Sequence, residues 1–193
     1  MRVDFRSDTV TKPTQGMLDA MFSAEVGDDV FVEDPTINAL EQKSAKLFGF
    51  EAGLFCPSGT QTNQIAINAH TRPGDEVICD VLSHIHVYEG GGIAANSGVS
   101  AALLNGEKGQ ITASQIEGVI KADNVHFPKS TLVSLENTCN KAGGTVYKLN
   151  QIQEIQALCN AHKMALHLDG ARIFNAFEAA GYSSLDIGKC FDS

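Results

Sequence analysis

Five short apolar runs with helical patterns between them constrain this fold more than any other feature. They are AGLFC (52–56), EVICDV (76–81), VSAALL (99–104), TLVSLE (131–136) and MALHLD (164–169). None alternates polar with apolar residues as a strand with one wet face would. Strands apolar on both sides need cover on both sides, and helices alternating with strands provide it. The pattern therefore predicts an α/β fold, three layers deep, with a mainly parallel sheet. The helices announce their starts: Asp34 and Pro35 stand as N-cap and first-turn proline ahead of Ile37, Leu40 and Leu47, with Gly49 as the stop. SQIEGVIKA and NQIQEIQALCNAH read as crossover helices, with Ser114 and Asn150 as cap candidates. Residues 73–75 and 140–144 read as turns. Residues 1–50, which carry the polar string RSDTVTKPT, read as an N-terminal arm with the first helices, and 51–193 as the sheet-bearing domain.

Composition narrows the function. With 193 residues, 43% of them hydrophobic, the chain can bury a core. A net charge of -9 with no basic run argues against a nucleic-acid surface. No stretch is long and apolar enough for a membrane helix, and the opening residues lack the apolar region of a signal peptide, so a cytoplasmic small-molecule protein is expected. The five cysteines are scattered without a C-x-x-C, which predicts reduced, mostly buried thiols.

In a parallel sheet ligands bind beyond the carboxyl ends of the strands, so the residues there are the candidates. After the first run comes Ser58-Gly59-Thr60, opening a helix whose free N–H groups suit an anion or an ordinary N-cap turn equally. After the second come His84, His86 and Glu89, followed by three glycines. If extended, this segment puts both histidines on one side as a His/His/carboxylate metal set; otherwise one imidazole faces a planar ligand and no metal is held. His126 precedes the fourth run and Glu136-Asn137-Thr138 follow it. Asp169 ends the fifth, with Arg172 three residues on. A buried rim carboxylate needs a cationic partner to offset its desolvation, and Arg172 is the candidate, as a plain structural ion pair.

The strings RSDTVTKPT, VGDDVF-EDPT, PSGTQTNQ, SHIHVYEGGG, HFP, LENTCN-AGG and HLDGARIFNA together resemble the threonine aldolases, and the resemblance runs over essentially the whole chain. It implies the aspartate aminotransferase fold (fold type I) and pyridoxal 5'-phosphate as cofactor. The reaction implied is cleavage of L-threonine or L-allo-threonine to glycine and acetaldehyde. Residues 51–193 would then be part of the cofactor-binding large domain. By the same resemblance, Ser58, Gly59 and Thr60 hold the cofactor phosphate, His84 stacks on its ring, and Asp169 faces the pyridine nitrogen. Ser7 and Arg172 take the substrate carboxylate, Arg172 also touching the cofactor. The base for the β-hydroxyl proton is His84, His126 or an ordered water. A small amino-acid substrate and a homo-oligomer, dimer or tetramer, complete the expectation.

Two departures stand beside the resemblance. The family's Schiff-base lysine lies on an SKG segment following FDS, and the sequence closes on FDS at Ser193, with Lys189 the nearest lysine. The chain is therefore expected to be the N-terminal part of a longer aldolase, and inactive or unstable alone. Phe31 stands where relatives carry a tyrosine that reaches a neighbouring subunit. A non-catalytic paralogue and a related β-eliminating lyase are the alternatives.

Overall fold

The computed structural model describes residues 3–4 and 6–193. Met1, Arg2 and Phe5, part of the opening read above as unlike a signal peptide, lie outside the described residues. The arm begins with a 3-10 turn, Asp8–Val10, followed by α1 (Gln15–Ser23), a second 3-10 turn at Asp29–Phe31 and α2 (Pro35–Phe48). Asp34 caps α2 as the sequence predicts: its carboxylate accepts from Thr36 N and Ile37 N, both at 2.9 Å, and Gly49 closes the helix at φ 79°. Its second oxygen accepts from Gly27 N at 3.1 Å and ties the arm to the helix start.

The remaining elements alternate. They are α3 (Gly59–His70), β1 (Glu76–Asp80), α4 (His84–Val87), α5 (Gly92–Ser97), β2 (Ser100–Leu104), α6 (Ala113–Glu117), β3 (Ser130–Glu136), α7 (Leu149–His162), β4 (Ala165–Asp169), α8 (Ile173–Ala180) and α9 (Ser184–Gly188). Among the described residues the strands form one parallel sheet in the order β2-β1-β3-β4. Each face of the sheet has its own apolar layer. Val77, Cys79 and Leu132 pack with Ile67, Ile85 and Ile93 from α3, α4 and α5. Ile78, Val133, Leu135 and Leu166 pack with Ile116, Ile152 and Ile155 from α6 and α7. This is the three-layer arrangement expected of strands without alternation, and each fully buried Ile or Leu is worth about 1.5–3 kcal/mol. No helix among the described residues is long and apolar enough to cross a membrane. All five cysteines are free thiols, four of them buried.

Three local expectations are corrected. Residues 52–56 form no strand: Leu54 is 68% exposed and Phe55 N donates to the Glu41 carboxylate at 2.6 Å. A strand needs an edge to pair with, and the outer edge of β4 is taken by Asp192 and Ser193, through Asp192 N to Leu166 O and Leu168 N to Ser193 O, both 2.9 Å. The crossover helices also start earlier than Ser114 and Asn150. Thr112 caps α6 and Lys148 precedes α7, because Gln115 and Gln151 each reach back to the backbone N–H three residues before them, at 3.0 and 2.9 Å.

Candidate active site

The carboxyl ends of β1, β3 and β4, the N-terminus of α3 and the arm surround a cleft of about 430 Å³. Ser58 caps α3, its hydroxyl accepting from Gln61 N at 3.2 Å. The N–H groups of Gly59 and Thr60 have no partner among the described residues, so two donors and the positive end of a helix dipole face the cleft. A Cβ built on Gly59 would meet nothing within 4 Å, which leaves room beside those donors for a tetrahedral anion.

Asp169 ends β4 and is buried. Its partners are Asn63 Nδ2 at 3.0 Å and Ala171 N at 3.2 Å, not Arg172. Arg172 turns the other way. Its Nε and Nη2 donate to the two oxygens of Asp8, both at 2.6 Å, and the guanidinium holds the Asp8 carboxyl down at about 2. The sequence gives no sign of this pair, whose members lie 164 positions apart. Asp8 uses one edge of the guanidinium, and the Nη1–Nη2 edge keeps its donors for a second carboxylate. Ser7 lines the same cleft, with its hydroxyl oxygen accepting from Thr9 N at 3.2 Å.

His84 stands on the first turn after β1. The extended reading of this segment is corrected: α4 is helical, so residues two apart point in different directions, and His86 is exposed away from His84. The group that gathers instead is His84, Glu89 and Asp169, with ligand-type atoms all within 4.8 Å of one another. His84 Nδ1 lies 2.9 Å from Glu89 Oε1, and the ring sits 5.4 Å from that of Tyr88. Gly90 and Gly91 turn the chain at φ 62° and 72°. Glycine at 92 is a matter of room, since a Cβ there would come within 2.5 Å of the Gln64 amide that holds Glu89. Glu136, at the end of β3, accepts from His84 N and Asn140 N at 2.9 and 2.8 Å, and burial pushes its carboxyl up.

The cleft therefore brings together Ser7, Gly59, Thr60, His84, Asp169 and Arg172, with Ser58 capping the helix that opens onto it. It does not bring in His126, which precedes β3 and so lies at the amino end of the sheet, exposed to solvent. Lys189 is exposed at the end of α9 and lines neither this cleft nor the adjoining apolar trough of about 600 Å³ between Leu54, Phe174 and Phe191. Sequence reasoning missed Asn63, although it falls inside PSGTQTNQ. It sits one helical turn inside α3, where an inward polar side chain leaves no mark on the pattern.

A family profile described as beta-eliminating lyase matches residues 4–193. The low specificity L-threonine aldolase of Escherichia coli K12 is 40% identical over 192 residues, 99% of this chain and 57% of that protein. The chain spans about half the length of the curated relatives it matches. The solved structure of Leishmania major threonine aldolase superposes with a TM-score of 0.72 at 30% identity, over 77% of this chain and 44% of that one. An aminotransferase from Mycobacterium tuberculosis, at 17% identity and TM-score 0.55 over 78% of this chain and 38% of its own, shares the fold alone.

Proposed function

This chain belongs to the beta-eliminating lyase family, and on that premise we propose that its cleft is the cofactor and substrate site of a pyridoxal-phosphate-dependent aldolase. The reaction is cleavage of L-threonine or L-allo-threonine to glycine and acetaldehyde. One observation carries the reading: unpaired helix N-terminal amides at Gly59 and Thr60, the buried carboxylate of Asp169 and the imidazole of His84 line a single cleft. Those groups match a phosphate, a protonated pyridine nitrogen and the plane of an aromatic ring. The relatives named threonine aldolases favour this chemistry over others in the family.

Pyridoxal phosphate, when bound, supplies an electron sink for the charge left at Cα as the Cα–Cβ bond breaks. The chain's own residues do the rest. Ser58, Gly59 and Thr60 hold the phosphate at the α3 N-terminus. Asp169, fixed by Asn63 and the Ala171 N–H, balances the positive charge of a protonated pyridine nitrogen. Arg172 presents its open edge, with Ser7, to the amino-acid carboxylate. His84 lies against the ring and takes the β-hydroxyl proton directly or through an ordered water. Residues 51–193 form the part of the cofactor-binding domain carried by this chain, with 1–50 as the arm. A homo-oligomer, dimer or tetramer, would cover the exposed Phe22, Val30 and Phe31. A cytoplasmic location suits five free thiols.

The test is product analysis. Protein carrying the full length of the relatives it matches, supplemented with pyridoxal phosphate, is given L-threonine or L-allo-threonine, with acetaldehyde followed by coupled reduction and glycine by chromatography. Equal release of the two supports the reading. Release of 2-oxobutanoate and ammonia would replace it with a β-eliminating lyase, and cofactor binding without any product with a non-catalytic paralogue.

A further inference from the structure

Behind His84 lies a buried polar chain that the proposed reaction does not by itself require. Glu89, with a side chain that is 0% exposed, receives three donors on two oxygens: His84 Nδ1 at 2.9 Å and Asn63 Nδ2 at 2.8 Å on Oε1, and Gln64 Nε2 at 2.6 Å on Oε2. Asn63 Nδ2 spends its other hydrogen on Asp169 Oδ2 at 3.0 Å, and Asn63 Oδ1 faces His167 Nε2 at 3.1 Å. His167 Nδ1 in turn meets Ser193 Oγ, and that oxygen meets His70 Nε2, both at 2.9 Å.

Only one assignment of protons satisfies this chain. Two carboxylates demand both Asn63 N–H groups, so Asn63 Oδ1 has to face His167 and His167 has to carry its proton on Nε2. Burial drives the His167 ring down to about 4, so it is neutral near pH 7 and its Nδ1 accepts from Ser193 Oγ. His70 Nε2 then donates to Ser193. Gln64 is fixed in the same way, because its Oε1 accepts from Asn96 Nδ2 at 3.1 Å. Every donor points toward the carboxylates. An amide in the middle cannot pass protons along, so the chain is an orienting device and not a relay.

We propose that Glu89 is the positioning residue of this site: held rigid by Asn63 and Gln64, it fixes His84 with its proton on Nδ1 and its lone pair on Nε2, toward the cleft. Nε2 has no partner among the described residues, and the His84 side chain is 36% exposed on the cleft side. The groups around the imidazole are Glu89 from the turn after α4, Asp169 from β4, Glu136 from β3 and the Tyr88 ring, over which Lys141 Nζ sits at 5.0 Å. Of these only Glu89 bonds a ring nitrogen. A base must present its lone pair to the proton it takes, and the wrong tautomer presents an N–H instead. The inference rests on His84 facing the reacting molecule as proposed above, but the tautomer itself is measured without any reaction.

Long-range proton–nitrogen NMR on histidine-labelled protein, at a pH where the rings are neutral, reads which nitrogen carries hydrogen. His84→Asn assigns the signal. The wild type should show His84 protonated on Nδ1 and His167 on Nε2. Glu89→Met, of similar volume but without a carboxyl acceptor, should shift His84 to the Nε2–H form that a free imidazole prefers. Glu89→Gln should retain Nδ1–H, since its amide oxygen still accepts there while Gln64 and the exposed Asn96 turn over to meet its NH2. In turnover, Glu89→Met should lose about 10²–10⁴-fold in kcat with KM little changed, and Glu89→Gln should lose much less. A wild-type His84 protonated on Nε2 overturns the proposal whether or not either variant folds, and so does an identical tautomer in wild type and Glu89→Met. If the tautomers behave as stated but protein of the relatives' full length releases no aldehyde, the aldolase reading fails and the positioning role stands.

Discussion

Acidification should weaken this fold through one ring, His167. It sits on β4, buried, between Asn63 Oδ1 and Ser193 Oγ. Burial holds its pKa down to about 4 from the ordinary 6.5, against the opposing pull of Asp169. The folded protein binds this proton less readily than the unfolded chain does, so stability is complete above 6.5 and is lost as pH falls toward 4. Carried through the linkage relation, that interval is worth about 3 kcal/mol in total, of which about 2 kcal/mol disappears between pH 7 and pH 5. His167→Gln isolates the effect, because it keeps an N–H for Asn63 and does not titrate. Urea unfolding at the two pH values, with midpoint and slope both fitted, gives the comparison. The wild type's advantage over the variant should shrink by about 2 kcal/mol on going to pH 5. Parallel losses in the two proteins would refute the argument, and the acid sensitivity would then belong to other groups. Glu136 cannot mimic it, since a buried carboxyl pushed upward contributes with the opposite sign.

Two further outcomes follow from single contacts. Asp8→Asn leaves the Arg172 fork without its charged partner, so KM for the amino acid should rise about tenfold, the worth of one charge-assisted hydrogen bond, with kcat nearly unchanged. Steady-state kinetics decides this, and a fall in KM would mean that Asp8 competes with the substrate. Gly188→Ala drives a Cβ into Phe48 O, a backbone atom that cannot swing aside. The variant should lose about 1–3 kcal/mol in urea unfolding, and an unchanged midpoint would show that α9 is free to shift off the end of α2.

The layers of this fold are legible because the mark of a doubly covered sheet is local: β1, β3 and β4, each built around a short apolar run, are buried or half-buried on both faces over five to seven residues. The same signal misled at 52–56, where an apolar run lacks an edge to join. Asp34, Pro35 and Gly49 fixed α2 by rules that act within a few residues. Ser114 failed as a cap because a glutamine at the third helical position chose Thr112 instead. In the site, strand ends pointed to Asp169 and Glu136, and a helix start to Gly59 and Thr60. The pairing of Asp8 with Arg172 depends on how distant turns are brought together, which spacing does not encode. His84 and Glu89 stand close in sequence, but the company of Asp169 and not His86 follows from α4 being helical, which the spacing alone does not reveal.

The arm holds a less obvious consequence. α1 has nine residues and buries none of them, leaving Met17, Met21 and Phe22 in contact with water. Isolated helices shorter than about 12–15 residues are marginal in water, because too few hydrogen bonds repay the nucleation of the first turn. The Thr14 cap supplies a single hydrogen bond toward that deficit. A surface closing over those three side chains, as the homo-oligomer proposed above would provide, would supply the rest of the stabilisation. Folding of the arm and covering of that surface would then be one equilibrium, and α1 should lose helicity wherever those three side chains are left in water.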